Sequence, residues 1–221
     1  ASNYNAIGVA GSSYTVTAKG ITLTGISALD KIYDATTTAA LNTASVGYSG
    51  LVGGDAVTLS GSGTGSFADK NAGANKAVTV SGYTLAGLDA GNYVVTQPSG
   101  LTASISKASL AVSGIAAVDK IYDATTGATL SGTAVVSALG SDSVSVAGTG
   151  AGSFADKNAG ANKAVTVSGY TLAGADAGNY VINQPSGLTA TINKASLAVS
   201  GIAAANKTYD ASTGATLSGT A

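Results

Sequence analysis

The stretch GSFADKNAGANKAVTVSGYTLAG occupies Gly65–Gly87, and the same 23 letters return unchanged at Gly152–Gly174. An exact tandem copy is the signature of a repeat architecture, in which one supersecondary unit is multiplied along the chain. Positions outside the copied string keep the same offset: Tyr122 and Tyr209 stand 87 residues apart, as do Phe67 and Phe154. Tyr33 and Tyr122 stand 89 apart, so the first copy carries two additional residues between Tyr33 and Phe67. A surface loop within TAALNTASVGYSGLVGGDAV is the expected place for them, because loops absorb insertions at little free-energy cost.

Extending the offsets to both ends divides the chain into residues 1–18, the tail of a preceding repeat, two full repeats at 19–107 and 108–194, and residues 195–221, the start of a following repeat. An enzyme rarely needs two tandem copies of one site, whereas a fibre or stalk gains length from each copy.

Alternation points to strands. LTASIS places Leu101, Ala103 and Ile105 on one face and its counterpart LTATIN places Leu188, Ala190 and Ile192 likewise; SVSVAG, AVTVSG, LAVSG and NYVIN behave the same way. Short strands separated by Gly, Asn and Asp, with no sustained helical period, predict an all-β fold. We expect tandem immunoglobulin-like antiparallel β-sandwiches in an end-to-end rod, with β-grasp repeats as the alternative. LDAGNYVV and ADAGNYVI strengthen the immunoglobulin reading. Asp89 with Tyr93, and Asp176 with Tyr180, have the spacing of a tyrosine corner, in which the hydroxyl ties back to upstream backbone. The junctions ISKASLAVSG and INKASLAVSG contain no Gly or Pro between the last strand of one unit and the first of the next, so they should be short and stiff. Each repeat would then add on the order of 30 Å to a rod.

Composition narrows the function. The 221 residues carry 10 Lys and no Arg, 11 Asp and no Glu, a net charge of −1, and no His or Cys. Without a basic cluster there is no footprint for nucleic acid. Without histidine or cysteine the chain lacks the usual proton shuttle, the thiolate nucleophile and the commonest metal ligands. No catalytic, cofactor-binding or metal-binding residue is therefore assigned. No apolar run reaches the roughly 18 residues of a membrane helix. The hydrophobic content of 45 % and mean hydropathy of +0.31 argue for a folded chain rather than a glycine-rich coil.

Three sharper chemistries can be written on these residues. An isopeptide bond would use the Lys, Asp and Asn of a repeat, such as Lys120, Asp123, Asp156, Lys157, Asn158 and Asp176, provided burial neutralises amine and acid. Calcium would need Asp55, Asp89 or Asp142 to converge, yet each stands alone among Gly, Ser and Ala. Tyr83, Tyr93, Tyr170 and Tyr180 could stack on sugars, although core or corner duty explains them more simply.

At DKIYDATT (Asp30 to Thr37, and Asp119 to Thr126) and NKTYDAST (Asn206 to Thr213), followed by FADKNAGANKAVTVSGYTLAG and DAGNY, the chain resembles the YDG-type repeats of large bacterial surface proteins. Ala35, Ala124 and Ala211 stand where that family usually has Gly, which suggests a backbone angle there that tolerates a Cβ. The resemblance implies a tandem module of secreted, filamentous-haemagglutinin-like adhesins, exported by two-partner or autotransporter routes and placed outside the cell or on its surface. Expected partners are neighbouring repeats of the same long chain, and in the alternative readings surface glycans or laterally assembled copies.

Overall fold

The computed structural model describes residues 15–220, so the stretch read as the tail of a preceding repeat lies mostly outside it. The described chain is all-β with curled, barrel-like sheets; 51 % is strand and 3 % helical. The helical part consists of the three-residue 3-10 turns Ala90–Asn92 and Ala177–Asn179, which supply no helix for a β-grasp.

Two compact units form, and they do not coincide with the sequence repeats. The first comprises residues 1–110 with 137–145 and 173–182; the second comprises 111–136, 146–172 and 183–221.

In the first unit a five-stranded sheet runs in the order Lys31–Ile32, Leu101–Ser106, Gly73–Ser81, Thr64–Phe67, Thr38–Ala39. A three-stranded sheet has Lys19–Thr24 between Tyr93–Thr96 and Gly47–Ser49. Alternation decides which side chains go inside. Ala103 and Ile105 are buried while Thr102 and Ser106 are exposed, and Val78 and Val80 are buried while Ala77 and Thr79 are exposed. Ile21, Val57 and Tyr93 form a further core cluster, with Leu51 and Leu85 packed on it.

The second unit repeats the five-stranded sheet in the corresponding order: Lys120–Ile121, Leu188–Asn193, Gly160–Ala173, Ser145–Phe154, Gly127–Ala128. Its core is Phe154, Val165, Val167, Ala190 and Ile192.

One expectation needs correcting. The sheets are mixed rather than purely antiparallel: Lys19–Thr24 pairs parallel with Tyr93–Thr96, Lys31–Ile32 parallel with Leu101–Ser106, and Lys120–Ile121 parallel with Leu188–Asn193. Parallel neighbours require long crossovers. Here they join the beginning of a repeat to its end, and the whole repeat serves as the crossover.

The two-residue length difference falls where the first copy breaks its strand. Leu41–Asn42 is followed by an exposed turn at Thr43 to Ser45 before Gly47–Ser49, whereas the second copy runs unbroken through Leu130–Val135.

Ala35, Ala124 and Ala211 also correct the sequence reading. Their φ values are +63°, +65° and +61°, so the left-handed turn of a glycine is kept despite the Cβ. The neighbours hold it. Lys31 Nζ donates to Asp34 Oδ1 at 2.7 Å and to the Thr36 carbonyl at 2.8 Å, and Asp34 Oδ1 accepts the Thr36 N–H at 2.9 Å. Lys120, Asp123 and Thr125 repeat this clamp. Left-handed backbone costs an L-residue about 1–2 kcal/mol, and glycine returns part of that gain through unfolded-state entropy. Ala35→Gly is therefore expected to stabilise by about 0.5–1 kcal/mol, measured by urea denaturation; a loss of stability would refute the strain argument.

Candidate functional site

The DAGNY motif shapes the site. Asp89 and Asp176 precede the 3-10 turns, each accepting a backbone N–H from a distant loop: Ala56 to Asp89 Oδ2 at 2.7 Å, and Ser143 to Asp176 Oδ2 at 2.9 Å. The turn then delivers Tyr93 and Tyr180 inward. Tyr93 Oη accepts the Val52 N–H at 3.0 Å and donates to Asp55 Oδ2 at 2.6 Å; Tyr180 Oη accepts the Leu139 N–H at 3.0 Å and donates to Asp142 Oδ2 at 2.6 Å. The upstream tie expected of a tyrosine corner is present, but it receives a backbone N–H and reaches 41 residues back. Its second bond, to an aspartate, was not anticipated from the sequence.

At Asp142 this arrangement becomes a closed cluster inside the first unit. The carboxylate is fully buried. It accepts from Tyr180, from Tyr33 Oη at 2.6 Å, and from the Lys70 ammonium. Lys70 also lies 3.4 Å from Asp176 Oδ1 and 6.0 Å from the centroid of the Tyr33 ring. The Tyr33 and Tyr180 rings meet edge to face at 5.3 Å. Beside them Asn179, which is buried, accepts the Ala72 N–H at 2.9 Å and donates to Asn71 Oδ1 at 3.1 Å. Tyr33, Lys70 and Asn71 belong to the first sequence repeat; Asp142, Asp176, Asn179 and Tyr180 belong to the second. The cluster is thus a joint between consecutive repeats. Across it Leu101–Ser106 and Ala108–Ala111 are separated by the single residue Lys107, the short junction that the sequence predicts.

The electrostatics are those of a satisfied ion pair. Burial alone pushes the Asp142 carboxyl up, but Lys70 and the two tyrosine hydroxyls outweigh it and hold it at about 2. The bond to Asp142, seconded by Tyr33, pushes the Lys70 ammonium above the ordinary lysine range. Burial, then Asp142, pushes the Tyr180 phenol up to about 12.

The signs define a pH window. A depressed carboxyl contributes stability that is complete above its ordinary 3.8 and is lost as pH falls through about 2. The raised tyrosine contributes stability that is complete below its ordinary 10.0 and is lost as pH rises through about 12. Melting of the first unit should therefore be flat between about pH 4 and about pH 10 and decline on both sides. In Asp142→Asn the acid limb contributed by this residue should disappear, and an unaltered acid limb would contradict the assignment.

The residues proposed for an isopeptide bond do not converge. Lys120 pairs with Asp123 at 2.8 Å, Asp156 with Lys163 at 2.6 Å, and Lys157 and Asn158 are exposed. Asp176 alone among them reaches the joint. There the lysine is held protonated and the acid ionised, the opposite of what condensation needs. The intact mass is therefore expected to equal that of the sequence, and a deficit of one water would show a covalent Lys70–Asp142 link. Asp55, Asp89 and Asp142 are each engaged by tyrosine or backbone, and among the described residues no three acidic side chains gather as a metal group. Of the tyrosines weighed as sugar platforms, Tyr83, Tyr93 and Tyr180 are buried and Tyr170 packs against the second core.

Asp142 escaped the sequence reading because its loop, SALGSDSV, differs from GLVGGDAV around Asp55. The signal was there: the aspartate keeps the 87-residue offset while its neighbours change. Among the described residues no helix is long and apolar enough to cross a membrane. Comparison with curated proteins and with solved structures gave no match. The family model described as the YDG domain matches residues 17–100 and again 106–187. With two copies spanning most of its length, the chain belongs to the YDG domain family.

Proposed function

We propose that this chain is a structural segment of an extracellular bacterial adhesin or matrix fibre, a stiff stalk of tandem immunoglobulin-like repeats joined end to end, with no catalytic chemistry and no cofactor. The observation that carries the reading is the joint. A buried aspartate, two tyrosines and a lysine are used to hold one repeat to the next, beside a one-residue linker that leaves little freedom to bend. Interfaces of this kind give repeat proteins their stability beyond that of the isolated unit. A side chain already engaged in a joint is not available for a substrate.

Small-angle X-ray scattering tests the reading. An elongated particle is expected. A radius of gyration near the roughly 17 Å of a compact 221-residue globule would overturn it.

A further inference from the structure

The joint has two halves, and each half occurs a second time. The donating half is Tyr33, Lys70 and Asn71; its copy is Tyr122, Lys157 and Asn158. The accepting half is Asp142, Asn179 and Tyr180; its copy is Asp55, Asn92 and Tyr93. We propose that a second copy of this chain docks head to tail, with Tyr122, Lys157 and Asn158 of one molecule entering the face formed by Asp55, Asn92 and Tyr93 of the other.

Four observations carry this. First, both spare halves are already built. The Tyr93 to Asp55 and Val52 to Tyr93 bonds have the same 2.6 and 3.0 Å lengths as their counterparts in the closed joint, and the Lys120 clamp beside Tyr122 matches the Lys31 clamp beside Tyr33 to about 0.1 Å. Little ordering remains to be done on contact. Second, identical chemistry has different surroundings. Tyr33 is 2 % exposed and Tyr122 37 %; Asn179 is buried and Asn92 exposed. Third, among the described residues Lys157 has no ion-pair partner and Asp55 has only Tyr93, so each half offers the charge that the other lacks. Fourth, a cavity of about 320 Å³ opens onto Asp55, Asn92 and Tyr93. The corresponding face around Asp142 receives the Lys70 side chain.

The inference deepens the stalk reading, and the two fail separately. An elongated particle that never associates would remove this proposal alone; a compact particle that associates would remove the other alone. Between molecules the joint lacks the effective concentration that the Lys107 linker provides, which for short links is of millimolar order. Association should therefore be weak and sensitive to salt.

Sedimentation of the full chain up to about 0.5 mM tests it. The weight-average mass should rise with concentration at low salt and fall back at about 0.5 M salt. Lys157→Ala and Asp55→Asn should each weaken association at least tenfold. Melting curves show that each is folded, and Lys157→Asp serves as a second donor variant on an exposed side chain. An equimolar mixture of Lys157→Ala and Asp55→Asn retains one functional donor face and one functional acceptor face. It should form dimers that do not grow further. A wild-type chain that stays monomeric, association that survives in either single variant, or a mixture that remains monomeric would each overturn the proposal.

Discussion

Asp142→Ala should destabilise the first unit by about 3 kcal/mol, whereas Asp55→Ala, the same residue in the other copy, should cost about 1 kcal/mol. The Asp142 carboxylate is fully buried and accepts from Tyr33, Tyr180 and Lys70. Its removal leaves two buried hydroxyls without an acceptor and separates a lysine from its counter-charge. The lysine side chain is one-third exposed, so water recovers part of its loss and the total stays at the lower end of the range for a broken buried pair. At Asp55 a single hydroxyl, that of Tyr93, loses its acceptor. Urea denaturation followed by tyrosine fluorescence measures both. Equal losses at the two positions would mean that the joint adds nothing to the local corner, and the stalk reading would lose its support.

Gly63→Ala should cost about 1–3 kcal/mol, a large penalty for one methyl group. A Cβ at Gly63 would lie 2.2 Å from Cε2 and Cζ of Tyr83 and 2.6 Å from its hydroxyl. Tyr83 is 6 % exposed, and its hydroxyl is buried with no hydrogen-bond partner among the described residues. The ring has no open direction in which to yield. The arrangement recurs at Gly150 over Tyr170, where the nearest ring atom would be 2.3 Å away. Replacing Tyr83 with leucine frees the space, so Gly63→Ala combined with Tyr83→Leu should be more stable than the sum of the single changes. Strict additivity in that cycle would show that the ring is not the obstacle.

Much of the fold was legible because the information is local. Alternation in LTASIS and AVTVSG selects buried Ala103, Ile105, Val78 and Val80 without reference to the rest of the chain. The absence of a 3.6-residue period correctly excluded long helices, and the 87-residue offset located matching strands. Parallel pairing was not legible, because it joins segments some 70 residues apart and leaves no mark on either strand. The Ala35 turn was misread for a related reason: the clamp from Lys31 and Asp34 that holds its positive φ depends on side-chain reach rather than on the residue that bears the strain.

The copied string separates the two kinds of information. In both copies it folds into the same strands and sets the same local ion pair, Lys76 with Asp69 and Lys163 with Asp156, each at 2.6 Å, because partners seven residues apart travel with the string. That much the sequence by itself determined. Lys70 is engaged by Asp142 while Lys157, in the identical setting, is exposed. Only the tertiary structure decided this difference: a charge pair spanning 72 residues exists where packing brings the partner loop within reach, and no local letter distinguishes a lysine that finds its aspartate from one that does not.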